Sequence, residues 1–207
     1  MKLIQKYFSD LSTDQLFQFE KLESLYKYWN SKINVISRKD ISSLYLKHAL
    51  HSLAIAKFIQ FTSGTHIIDV GTGGGFPGIP LAILFPDAKF HLVDSTEKKV
   101  RVVDAVSNEL RLDNVTTCCK RVEDIDDKFD FILARAVADM STILKWTVNN
   151  ISPNSNNVVP NGIIALKGGD LDKELSRIEN KKIVAVKDYF DEHYFNDKKL
   201  VYIPVNS

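Results

Sequence analysis

Asp69, Gly71, Gly73 and Gly75 stand at alternate positions in Ile67-Ile68-Asp69-Val70-Gly71-Thr72-Gly73-Gly74-Gly75-Phe76-Pro77-Gly78. Glycines at that spacing bare the backbone, so a ligand can approach it closely and positive φ is available. Amides at the start of a following helix then face whatever is bound. Asp94 lies roughly 20 residues further on, where Rossmann-like folds place a carboxylate that accepts from ribose hydroxyls; capping of the next helix is the competing use of this acid. Glu123 can accept from an adenine amino group while backbone amides near Val122 meet ring nitrogens, and a solvated charged turn is the alternative there. Arg135 offers a fixed cation with planar donors, suited to a carboxylate or phosphate.

The loop discriminates between ligands. A dinucleotide fingerprint requires Gly-x-Gly-x-x-Gly, and Phe76 occupies its third glycine position. No Gly-Lys-Ser/Thr follows, which excludes a P-loop. Asp69-x-Gly71-x-Gly73-x-Gly75 is instead similar to the first motif of class I S-adenosylmethionine-dependent methyltransferases.

Positioning these groups takes a strand, turn and helix at each step. An apolar run ending at Val70 predicts a buried strand, and Ile79 to Phe85 a helix. Ala88–Asp94 and Val115–Cys119 read as the second and third strands, and Phe129–Ala134 as the fourth. Gly162 to Gly169 contains a fifth strand and a glycine turn; Lys181 to Tyr189 and Leu200 to Val205 supply two more. Glu97 to Arg111 reads as a helix burying Val100, Val103, Val106 and Leu110. Met140 to Val148 is helical in pattern, and 151–161 a loop. Ahead of the first strand, residues 12–33 form an amphipathic helix opened by a Ser12/Gln15 capping box, and a second helix covers about 41–59. Residues 1–62 are thus expected as an N-terminal helical extension packed on a single methyltransferase domain, 63–207.

The 207 residues are 44% hydrophobic and 26% charged, with formal net charge +1, an ordinary globular composition. No apolar run approaches the roughly 20 residues of a membrane helix, and no secretory segment opens the chain, so a cytoplasmic protein is expected. Basic residues cluster at Arg38-Lys39, Lys98-Lys99 with Arg101, Lys120-Arg121 and Lys198-Lys199. Taken singly, each is best read as solvated surface charge. Lys98, Arg121 and Lys167 end or follow strands on one sheet edge, where cations can meet the phosphates of a nucleic acid. His48 and His51 lie one helical turn apart without an evident third ligand, so packing or surface roles are expected and no metal. Adjacent Cys118 and Cys119 fit core filling better than nucleophilic methylation chemistry.

The placed motifs together resemble the bacterial small-subunit rRNA guanine-N7 methyltransferase family, once called glucose-inhibited division protein B. The resemblance rests on Tyr28-Trp29-Asn30 with Ile33-Asn34, on Asp69-Val70-Gly71 through Phe76-Pro77-Gly78-Ile79-Pro80-Leu81-Ala82, and on Leu92-Val93-Asp94-Ser95 with Lys98-Lys99. Asn114-Val115, Arg121-Val122-Glu123, Arg135-Ala136-Val137-Ala138 and Ala165-Leu166-Lys167-Gly168 extend it over most of the chain. It implies an α/β fold of the class I, Rossmann-like type: a mostly parallel seven-stranded sheet behind the helical extension. It implies S-adenosyl-L-methionine as cofactor, with contacts at Gly71, Phe76, Val122, Glu123 and Arg135, to which Asp69, Gly73 and Asp94 are added from the motif spacing. Arg135 is the candidate catalytic residue. The implied substrate is 16S rRNA or the small ribosomal subunit, acted on by a monomer. His51 departs from the family, which often has Asp there. Competing readings are a class I methyltransferase for another RNA, a protein or a small molecule, a NAD-dependent oxidoreductase disfavoured by Phe76, and an RNA-binding module without catalysis.

Overall fold

A computed structural model describes residues 1–205. Among them, seven strands form one sheet: β1 (His66–Val70), β2 (Lys89–Val93), β3 (Val115–Cys118), β4 (Phe131–Arg135), β5 (Gly162–Gly168), β6 (Lys182–Ala185) and β7 (Lys198–Pro204). Their order is β3-β2-β1-β4-β5-β7-β6, with β7 antiparallel to both neighbours and all other pairs parallel. The chain moves outward from β1 to β3 and then returns to β1's other side with β4. That reversal opens a crevice at the carboxyl ends of β1 and β4, where open α/β sheets bind ligands.

The helices are α1 (Lys2–Tyr7), α2 (Thr13–Lys32), α3 (His51–Phe58), α4 (Gly78–Leu84), α5 (Glu97–Glu109), α6 (Met140–Thr147) and α7 (Asp172–Leu175). Alternate strand residues divide between two cores, as the two-residue period of a strand requires. Ile67, Phe131, Leu133 and Ile164 face one side with α1 to α5; Ile68, Ile132, Ile163 and Ala165 face α6 and α7. Ile4, Phe19, Leu22, Leu50 and Leu53 belong to the first of these cores, so the N-terminal helices and the sheet bury one another.

The capping box forms as expected, Ser12 Oγ accepting from Gln15 N at 3.2 Å and Gln15 Oε1 from Ser12 N at 2.9 Å. Gln15 Nε2 also donates to the carbonyls of Ile83 and Leu84, and Gln18 Nε2 to that of Leu110. Thus α2 satisfies terminal carbonyls of α4 and α5 that have no partner within their own helices.

Several expectations are corrected in detail. The stretch 41–59 is helical but irregular, running through a 3-10 turn (Ile41–Ser43) and a π-helical segment (Tyr45–Leu50) before α3. Val102 is buried in α5 while Val100 is only half-buried. The sixth strand is confined to Lys182–Ala185, and 3-10 turns at Val186–Asp188 and His193–Phe195 lead to β7. The cysteines do not fill the core: Cys118 is half-buried at the sheet edge and Cys119 is exposed, because β3 is the terminal strand with nothing beyond it. The short α1 and α7 carried no periodicity long enough to read.

Candidate functional site

The loop after β1 is braced from beneath. Asp69 is fully buried, and its Oδ2 accepts from Thr72 Oγ1 at 2.6 Å and from Gly78 N at 2.9 Å. This corrects its expected place at the cofactor: the carboxylate is drawn under the loop and tied to it, with Oδ1 left unpaired. Burial pushes the Asp69 carboxyl up to about 7, against the hydrogen bonds that favour its charge. From the other side, Tyr26 donates to the Gly74 carbonyl at 2.5 Å, and its ring lies 4.9 Å from that of Phe76.

Two of the glycines are needed for specific reasons. Gly71 has φ +62°, and a Cβ there would stand 2.8 Å from Val137 Cγ2. Gly73 has φ +60°, yet a Cβ there would meet nothing nearer than the Gly71 carbonyl at 3.9 Å. The backbone at Gly73 therefore lies bare against open space, the feature a ligand-bearing loop needs.

That space is a cleft of two joined cavities. The first, about 280 Å³, is bounded by Gly71, Asp94, Arg121, Val122, Glu123 and Ala136. The second, about 500 Å³, is bounded by Gly73, Phe76, His48, His51, Arg135 and Tyr194, with Lys167 and Lys198 at its side. Gly71, Lys99 and Ala136 line both. Ala136 holds φ +55° without being glycine, a strained position of the kind that clusters at functional sites.

Asp94 serves loop and helix together: Oδ2 accepts from Gly73 N at 3.1 Å and Oδ1 from Thr96 N at 2.9 Å, while Lys99 Nζ lies 3.4 Å from Oδ2. Ribose recognition and helix support are thus not exclusive, since a carboxylate offers about four acceptor sites. Glu123 and Arg121 are exposed at the rim and Val122 forms the wall, on a 3-10 turn (Val122–Asp124).

Arg135 closes β4 and reaches into the second cavity, donating to the Lys47 carbonyl at 3.2 Å and to His48 Nδ1 at 3.0 Å, over the Phe76 ring at 5.2 Å. Arginine only donates, so His48 Nδ1 must be the unprotonated nitrogen and Nε2 carries the hydrogen. That Nε2, like Nε2 of His51, is buried without a partner. Burial, then the Arg135 charge, holds His48 down to about 4 and His51 down to about 3, so both rings are neutral at pH 7. They are packed, as expected, but in the wall of the site. Among the described residues no three His, Cys, Asp or Glu side chains are grouped to hold a metal.

The cations expected at the mouth differ in placement. Lys167 is tied to Glu174 at 2.7 Å and to the Ala138 carbonyl, so its charge is already neutralised. Lys98 is exposed on the first turn of α5 and borders neither cavity; the neighbouring Lys99 points in. The sequence reading also missed the wall formed by His48, Tyr194 and Lys198, which only the fold assembles.

The sheet order, the glycine turn after β1 and the acid after β2 define a class I S-adenosylmethionine-dependent methyltransferase fold. A solved structure of a SAM-dependent methyltransferase from Aquifex aeolicus superimposes with a TM-score of 0.60 at 18% identity, covering 82% of this chain and 99% of that one. The family described as GidB, rRNA small subunit methyltransferase G, matches residues 15–199. Similar proteins named Ribosomal RNA small subunit methyltransferase G occur in Christiangramia forsetii (54% identity, 99% of this chain, 97% of the relative) and Bacteroides fragilis (52%, 99% and 100%). The chain belongs to the rRNA small subunit methyltransferase G family.

The residues present fit S-adenosylmethionine. The bare backbone at Gly73 and the acceptors of Asp94 and Glu123 along one continuous cleft match its elongated, donor-rich shape.

Proposed function

We propose that the chain transfers the methyl group of S-adenosylmethionine to N7 of a guanine in 16S rRNA. The observation that carries this reading is the near-full-length 54% identity to a protein named for small-subunit rRNA methylation. Bound S-adenosylmethionine supplies a methyl group activated by a sulfonium. Guanine N7 presents a free lone pair on the base's major-groove edge, so the protein need not remove a proton. What remains for the side chains is to hold the reacting atoms in line and keep water out. The first cavity suits the nucleoside end of the cofactor, held by Asp94, Glu123 and the wall at Val122. The second suits the target base, with Phe76 and the neutral His48 and His51 as its apolar-faced walls and Arg135 as its fixed cation. Because His48 and His51 precede the sheet in sequence, residues 1–62 are read as one wall of the site rather than a separate module. The enzyme is read as a cytoplasmic monomer.

The test is mass mapping of 16S rRNA from cells with and without the protein. One guanine is expected to lack its added methyl group when the protein is absent. An unchanged map overturns the assignment.

A further inference from the structure

We propose that residues 28–39, the end of α2 and the loop after it, form a docking surface for the rRNA that flanks the methylated base. The proposal rests on the rRNA reading above and adds where the RNA outside the cleft is held.

Between Tyr28 and Lys39 the sequence carries three cations, Lys32, Arg38 and Lys39, and no acid. All three are exposed. The acids on either side are already engaged, Glu23 by Lys27 at 2.6 Å and Asp40 by Lys47 at 2.5 Å. The surface therefore carries uncompensated positive charge, which neutralises phosphates and releases their counterions. Tyr28, 53% exposed, is among the few large apolar side chains turned to solvent. Trp29 stands edge-on to its ring at 5.4 Å, and Lys32 lies over it at 4.3 Å while donating to its hydroxyl. An exposed, laterally fixed aromatic ring among cations is the arrangement on which single-stranded bases stack.

The loop is also rigid and correctly placed. Asn30 Oδ1 accepts from both Val35 N and Ile36 N at 2.9 Å, and its Nδ2 donates to the Ile36 carbonyl at 2.9 Å. One side chain thus fixes the turn that carries the cations, which lowers the ordering cost of binding. Val35, within that turn, lines the second cavity and packs against Gly74. A strand of RNA lying across Tyr28 and the three cations can therefore turn one base inward at Val35.

The test uses the full chain and deproteinised 16S rRNA, with binding measured across a salt series and methylation measured at saturating cofactor. Lys32→Gln/Arg38→Gln/Lys39→Gln is expected to lower the salt slope by about three units and to raise KM for RNA, with kcat and S-adenosylmethionine affinity unchanged. The control Lys173→Gln/Lys181→Gln/Lys187→Gln, which removes the same charge elsewhere, is expected to keep the wild-type slope. Tyr28→Ala is expected to weaken binding roughly fivefold to a hundredfold, the loss of one stacked base, and Tyr28→Phe to restore it. Thermal unfolding checks that each variant is folded; these side chains are exposed, so little change is expected. The proposal is overturned if the triple variant keeps the wild-type slope, or if the control lowers it equally. It is also overturned if the dependence appears only with assembled subunits, which would assign the surface to a ribosomal protein. Wild-type protein that methylates neither the deproteinised RNA nor assembled small subunits would remove the rRNA reading itself. Normal wild-type methylation with an indifferent triple variant would remove only the docking surface.

Discussion

The first cavity takes most of its walls from turns that directly follow β1, β2, β3 and β4, each close to a strand end. The second draws on segments as distant in sequence as His48 and Lys198. In the first, the contacts that shape the ligand's path join turns that follow neighbouring strands, as in Asp94 with Gly73, 21 residues away, and with Thr96. In the second they are long-range, as in Arg135 with His48, 87 residues apart. On the proposed assignment, cofactor recognition is built from a short motif, whereas target recognition depends on how the N-terminal helices and the β6–β7 region close over the sheet edge. Damage to the two cavities should therefore separate, the first reporting in cofactor affinity and the second in turnover.

The largest effect is expected from Gly71→Val, at the junction of the two. A β-branched residue at φ +62°, with its Cβ 2.8 Å from Val137, must displace the segment after β4 or the loop itself. Backbone strain and overpacking together cost several kcal/mol, so S-adenosylmethionine affinity measured by calorimetry should fall at least about a hundredfold. Near-normal affinity would mean that the loop yields and the glycine is not required.

The same division explains what the sequence disclosed. Five parallel strands, the glycine turn, Asp94 and the 122–123 wall follow from apolar runs bounded by turn residues and from fixed spacing, which are local properties. His48 and His51 were visible as a pair, but their burial beside Arg135 depends on the π-helical segment and on the packing of three separate segments. Strand position gives no account of a partner such as Glu174 at Lys167, or of which helix face carries Lys98. Motif spacing places Asp69 at the ligand; only the fold shows Thr72 and Gly78 consuming its oxygen.

Next in size is Arg135→Ala, expected to lower kcat about a hundredfold, the scale of a misplaced reacting group, with a smaller change in cofactor affinity. The His48 contact sharpens this. His48→Asn keeps an acceptor near Nδ1, whereas His48→Gln moves it towards Nε2, away from Arg135. Asn should retain more turnover than Gln, and equal losses would show that His48 does not position the arginine. In the first cavity, Asp94→Ala should weaken cofactor binding by roughly 1.5–3 kcal/mol, the range for hydrogen bonds to a charged group. An unchanged dissociation constant would leave Asp94 as a brace for Gly73 and Thr96 alone.

The last expected difference concerns stability, and it isolates the second cavity by pH. His51 is held down to about 3 in the folded protein by burial first and by the charge of Arg135 next. When unfolded it takes a proton near its ordinary value of 6.5. Below that pH the unfolded chain binds more protons than the folded one, so stability falls as pH drops from about 6.5 towards 3. Between pH 7 and pH 5 this single ring accounts for about 2 kcal/mol. Asp69 acts in the opposite sense: raised to about 7, it is protonated in the fold, and its contribution is complete below its ordinary 3.8 and lost as pH rises through 7. Acidification therefore relieves the cost of the buried Asp69 charge while it weakens the wall of the second cavity, where His48, held down to about 4, adds a loss of the same sign as His51. Comparing wild type with His51→Gln removes the Asp69 and His48 parts, which both proteins share. Urea unfolding at pH 7 and pH 5 should show the wild type losing about 2 kcal/mol more than the variant over that interval. Equal losses would mean that His51 meets solvent in the folded protein and that the second cavity is wetter than its packing against Tyr194 and Phe195 implies.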